Sequence, residues 1–229
     1  MIKDFLKEVQ SGEGVESQLV KTILTSLLTS FIVLALLYFG KFRFIDGFMG
    51  KYGFFLFFAV LSYALLSGVI VHVRAFGQFP CMSGMMLGMT TGMIAGFLPG
   101  YFIASTNGMF VGSVFGMAFG IFVGIITGGK TCGVMGFLEG VMAGFMGGLM
   151  GSMTAFMLFN DNLKPATFIV FIVSAVILVA LNYMLYMEGK QMERKKNGSD
   201  SFFTVVFSFF ATVITTWLMV FGPRSGVFG

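Results

Sequence analysis

Apolar residues do not alternate with polar ones along this chain; they come in seven long runs separated by short polar or charged segments. An α-helix rises about 1.5 Å per residue, so about 20 apolar residues cross the hydrocarbon layer of a bilayer. The runs predict helical spans near 19–39, 54–73, 82–103, 108–128, 134–158, 166–187 and 202–221. Ahead of them Ile2, Phe5, Leu6 and Val9 recur at helical spacing, while Lys3, Asp4, Lys7 and Glu8 take the opposite face. Residues 1–16 therefore read as an amphipathic interfacial helix, and 17–229 as a single transmembrane domain. The apolar stretch from Leu19 is too long for the core of a cleaved signal peptide and lacks a clear small-residue cleavage site.

Inside the central runs a second period appears. Gly84, Gly88, Gly92, Gly96 and Gly100 form one four-residue series, and Gly108, Gly112, Gly116, Gly120, Gly124 and Gly128 form another. Gly136, Gly140, Gly144 and Gly148 form a third. Each glycine costs a helix about 1 kcal/mol relative to alanine, so the repeat needs a compensating gain. Close helix approach supplies it, because lipid exerts no hydrophobic force between helices and dispersion must be collected at short range. Four residues overshoot a helical turn by about 40°, which calls for right-handed crossing. The expected fold is all-α: a polytopic membrane protein of about seven spans around a central glycine-zipper core of three. Ser105, Thr106 and Asn107 read as one short connection within that core, and Gly129 to Gly133 as the other. Pro99 should kink the end of span three. Spans one, two, six and seven, rich in Leu, Val, Ile and Phe, should pack outside the core and meet lipid.

Composition agrees and narrows the classes. Apolar residues make up 57% of the 229 and charged residues 10%, well under the roughly one quarter usual for soluble domains. Two cysteines cannot build a disulfide framework, and one histidine cannot build a multi-histidine metal site. The net charge of +4 lies between spans and not on one face, so nucleic acid is not an expected partner; the lipid bilayer is. Lysines and arginines number 9 on the amino-terminal side of a seven-span arrangement and 5 on the other, which puts the amino terminus in the cytoplasm.

Chemistry concentrates where the glycines do. Thirteen of the 19 methionines fall between Met82 and Met157. Met85, Met89 and Met93 form one column and Met142, Met146 and Met150 another. Thioethers are soft, uncharged ligands suited to Cu(I), though methionine also fills gaps beside glycine. Cys81 and Cys132 immediately precede spans three and five, which run parallel, so both lie at one membrane face. In a cytoplasmic setting they would be free thiols and soft ligands beside Met82 and Met135, with His72 as a further candidate; in the reverse orientation they would suit a disulfide. Glu139 is an acid within a central span, where ionisable groups cost about 2.5–3.5 kcal/mol and usually serve function.

Gly124, Gly129, Lys130 and Thr131 match a phosphate-loop pattern, but an apolar helix precedes them where that loop needs a strand. Asn197, Gly198 and Ser199 spell a glycosylation acceptor that a cytoplasmic loop would leave unused. No nucleophile, base and orienter come together, so an enzyme is not expected. The leading expectation is binding or transport of a soft metal ion, Cu(I) as the cofactor or cargo. Cys81, Cys132 and Met82 would take up the ion, the two methionine columns would pass it, and Glu139 would compensate its charge. Two alternatives stand beside it. One is a non-catalytic scaffold or assembly subunit whose glycine stripes meet a second copy or another membrane protein. The other is a proton- or cation-coupled small-solute carrier centred on Glu139.

Overall fold

The computed structural model describes residues 15–40, 48–76, 80–159, 162–191 and 201–223. The expected amphipathic segment before residue 15 lies outside them, as does the Asn197 acceptor. Seven α-helices follow in order: α1 (Val15–Gly40), α2 (Phe54–Phe76), α3 (Cys81–Asn107), α4 (Met109–Cys132), α5 (Val134–Met157), α6 (Leu163–Gln191) and α7 (Ser201–Phe221). A π-helical turn, Met49–Gly53, leads into α2. All seven are long and apolar enough to span a membrane, and the described residues contain no strand. The chain is thus a multi-pass helical membrane protein.

Helices α3, α4 and α5 form the tightest unit, built almost without side chains. Gly88 meets Gly128 and Gly136; Gly92 meets Gly124 and Gly140; Gly96 meets Gly120 and Gly144; Gly100 meets Gly116 and Gly148. A fifth layer joins Ala104 to Gly112 and Gly100 to Ser152. A methyl group placed on Gly120 would lie 2.7 Å from the Gly96 Cα, and one on Gly116 would lie 2.8 Å from the Gly100 Cα. Real Cβ atoms essentially never come within 3.0 Å of such neighbours, so backbone packs on backbone. Contact is kept at every fourth residue through five layers, the period that the sequence spacing calls for.

The connections are shorter than expected. Ser105, Thr106 and Asn107 belong to α3 and not to a loop; only Gly108, at φ 112°, separates α3 from α4. Gly108 is therefore the reversal itself and no member of the packing stripe. Gly133, at φ 65°, does the same between α4 and α5. A left-handed backbone angle at a one-residue turn is where glycine is cheapest. Pro99 is buried within α3, which runs on past it to Asn107.

The outer helices depart from the expected arrangement in one respect. Span two does not face lipid: α2 is buried along most of its length, packed on α1, α3, α6 and α7. Rings and hydroxyls hold this half. Phe58 meets Phe171 of α6 at 5.2 Å between ring centroids, and Tyr63 meets Phe119 of α4 at 5.7 Å. The Arg74 guanidinium lies 4.0 Å from the Phe203 ring centroid of α7. By contrast α5 packs extensively on α3 and α4 alone.

Candidate functional site

The sulfur-bearing residues are positioned by the two glycine reversals. Cys81 is the first residue of α3 and Cys132 the last of α4, directly before Gly133 turns the chain into α5. Both cysteines lie at one end of the trio, as expected, with their Cα atoms 4.8 Å apart, and they are joined as a disulfide. Of the two states the sequence allows for this pair, free thiols or a disulfide, the structure has the disulfide, and in this oxidised form neither sulfur is a thiolate ligand. The physical reason is proximity. The layer of Gly88, Gly128 and Gly136 holds these helix ends together one to two turns away.

A seam between α3 and α5 runs from that end. A methyl on Gly147 would strike the Met93 carbonyl, and one on Gly151 the Phe97 carbonyl. Both helices keep contact every four residues, so stepping back eight positions on each places Glu139 alongside Met85. A further four places Met135 alongside Cys81. Cys81, Cys132, Met85, Met135 and Glu139 thus occupy neighbouring register positions at one end of the seam. Glu139 is half-buried and is the sixth residue of α5, about 8 Å along the helix from its start. It lies near the start of α5 and not at its middle.

The methionine columns do not face each other. Of the nine residues of α3 that are not buried, five are methionines: Met82, Met85, Met86, Met89 and Met93. They form the strip that α3 leaves open beside α5. Met142, Met146 and Met150 occupy another face of α5, turned outward and 61%, 52% and 50% exposed. The column that α5 sets against α3 contains Glu139, Ala143, Gly147 and Gly151 instead. The interior of the trio, filled by glycine backbone, holds no thioether, so two facing sulfur columns do not exist there. Most glycines of the stripes, from Gly88 to Gly148, meet one another within the chain.

His72 does not join the cysteines. It is 2% exposed, and its Nδ1 lies 3.0 Å from the Asn182 Oδ1 of α6. Among the described residues no group of three or more His, Cys, Asp and Glu side chains could hold a metal, so any site at the seam must include thioethers. The phosphate-loop match lies within the last turns of α4, a continuous helix.

One polar feature was missed in the sequence. Ser26 of α1 and Ser208 of α7 are 2.6 Å apart between hydroxyl oxygens, and the Thr212 hydroxyl donates to Ser30 Oγ at 3.1 Å. Thr22 and Thr204, one step earlier on each helix, are also buried. The signal was present as four-residue spacing, Thr22, Ser26, Ser30 and Thr204, Ser208, Thr212, hidden among stronger apolar runs. No family model matches the chain, and no curated protein or solved structure shows significant similarity to it.

Proposed function

We propose that this membrane protein binds a soft metal ion, Cu(I) by the chemistry of its donors, at the end of the α3–α5 seam. The observation that carries the reading is the cysteine pair at that end, 4.8 Å apart between Cα atoms; the register of α3 on α5 supports Met85, Met135 and Glu139 as its neighbours. Reduction of the Cys81–Cys132 bond by a cellular thiol yields two thiols whose Cα atoms start only 4.8 Å apart, close enough for both sulfurs to reach one ion. Loss of the thiol protons on binding gives two thiolates. Thioethers complete a soft set, and Glu139 adds an anionic neighbour that holds a cation near the membrane surface. In the orientation that the lysine and arginine count favours, this face would be cytoplasmic and its thiols kept reduced. Binding at one end replaces passage along two columns in this reading.

The test is Cu(I) titration of the reduced protein against a competing chelator. Wild type should take up about one ion per chain, by the one-site donor set. Cys81→Ser with Cys132→Ser should abolish uptake, and Glu139→Gln should weaken it about 10- to 100-fold, the range for groups supporting a metal's ligands. Met142→Leu with Met146→Leu should change nothing. Absence of uptake by the reduced wild type, or uptake indifferent to the cysteine pair, rejects the proposal.

A further inference from the structure

At the far end of the membrane domain from the cysteines, α1 and α2 do not close on each other. Between them lies a cavity of ≈ 540 Å³ lined almost wholly by apolar side chains. That volume falls within the roughly 300–1,000 Å³ of small-molecule sites. Phe48 and Leu56, both buried, form the floor, while Phe31, Ala35 and Phe57 are exposed at its opening. Rings bracket it: Phe31 and Phe57 meet across the two helices at 6.2 Å, and Tyr38 meets Phe48 at 6.1 Å. The π-helical turn Met49–Gly53 forms part of the wall, where it sets Phe48 and Tyr52 at 5.7 Å between ring centroids. Single π turns in helical proteins gather at functional positions.

We propose that this cavity is a binding groove for one acyl chain of a phospholipid. The occupant follows from what surrounds the groove and what lines it. Both walls are membrane-spanning helices, so the opening meets hydrocarbon. Water would find too few polar partners inside to be held there. Tyr38 provides the one polar side chain among the lining residues, two residues before the end of α1, where its hydroxyl can donate to a glycerol ester carbonyl while the chain runs inward. The outward face of α5 offers no such fit, since its large side chains Met142, Phe145, Met146 and Met150 project from the helix. Lipid there is ordinary solvent; lipid between α1 and α2 is a ligand.

A phospholipid carrying a diazirine near the end of one acyl chain, reconstituted with the full chain in nanodiscs, tests this directly. After photolysis, adducts mapped by mass spectrometry should concentrate in residues 31–39 and 53–57. Ala35→Trp, at an exposed position where the larger ring can enter the groove, should remove most of them, while Phe145→Trp on α5 should leave them unchanged. Adducts spread evenly over the outer faces, or undiminished in Ala35→Trp, would overturn the proposal. So would protection of both segments while the rest of the α1 surface labels, an outcome that would put the chain's own residues 41–47 in the groove.

Discussion

The α3–α4–α5 trio and the four helices around it solve one problem in opposite ways. In lipid, burying an apolar side chain gains little, because acyl chains are as apolar as leucine. The trio answers by removing side chains until backbones touch, as where Gly96, Gly120 and Gly144 share one layer. The outer helices keep theirs and use shape and polarity: rings such as Phe58 on Phe171 at 5.2 Å, and hydroxyls such as Ser26 on Ser208. The first solution has no slack, since the neighbours of most of these glycines are backbone that cannot rotate away. The second is graded, because rings can tilt and a serine that loses its partner can return to a carbonyl of its own helix, as the Ser62 hydroxyl does by donating to the Phe58 oxygen. Tolerance to substitution should therefore differ sharply between the two regions.

The largest effect is expected at the centre of the trio. Gly120→Leu should leave no folded, monodisperse protein in detergent. Gly120→Ala, a single methyl, should cost about 1–3 kcal/mol as overpacking, measured by thermal or denaturant unfolding. Tolerance of the leucine would refute backbone-on-backbone packing. Next comes the polar contact between α2 and α6. Asn182→Leu removes the partner of His72 Nδ1 and should cost about 1–2 kcal/mol, near the upper end for hydrogen bonds between membrane helices. The hydroxyl pair should be weaker still: a double-mutant cycle of Ser26→Ala and Ser208→Ala should give a coupling of about 0.6 kcal/mol. A coupling as large as the Gly120→Ala effect would erase the distinction between the regions. Smallest of all, Met146→Leu on the outward face of α5 should stay within about 0.5 kcal/mol.

Much of this architecture is written plainly in the chain. Length and hydropathy locate all seven helices, and the period of four picks out the faces on which α3, α4 and α5 meet. Three things escape for physical reasons. Ser105 and Thr106 look like a turn, yet inside a membrane their hydroxyls donate to the Tyr101 and Ile103 carbonyls at 2.7 and 3.0 Å, and the helix continues. The Phe- and Leu-rich α2 resembles a lipid-facing span, because the composition suited to lipid also suits a protein interior. The candidate site is half legible: spacing alone brings the cysteines to one face, but which sulfur column faces a neighbour depends on how the helices wind. A column repeating every four residues on a helix of 3.6 per turn changes its compass direction as it climbs. Only the neighbours of Gly147 and Gly151 show that Glu139, and not Met142, lies against α3.

The two one-residue reversals carry a consequence for how such a chain can vary. Gly88 and Gly128, Gly92 and Gly124, Gly96 and Gly120, and Gly100 and Gly116 are each equidistant from Gly108, so α3 and α4 mate by reflection about a single hinge. One residue inserted between Gly100 and Gly108 would throw every rung of that ladder out of step, with no spare loop to absorb the error. Lengthening is tolerable only in whole steps of four, matched on both arms.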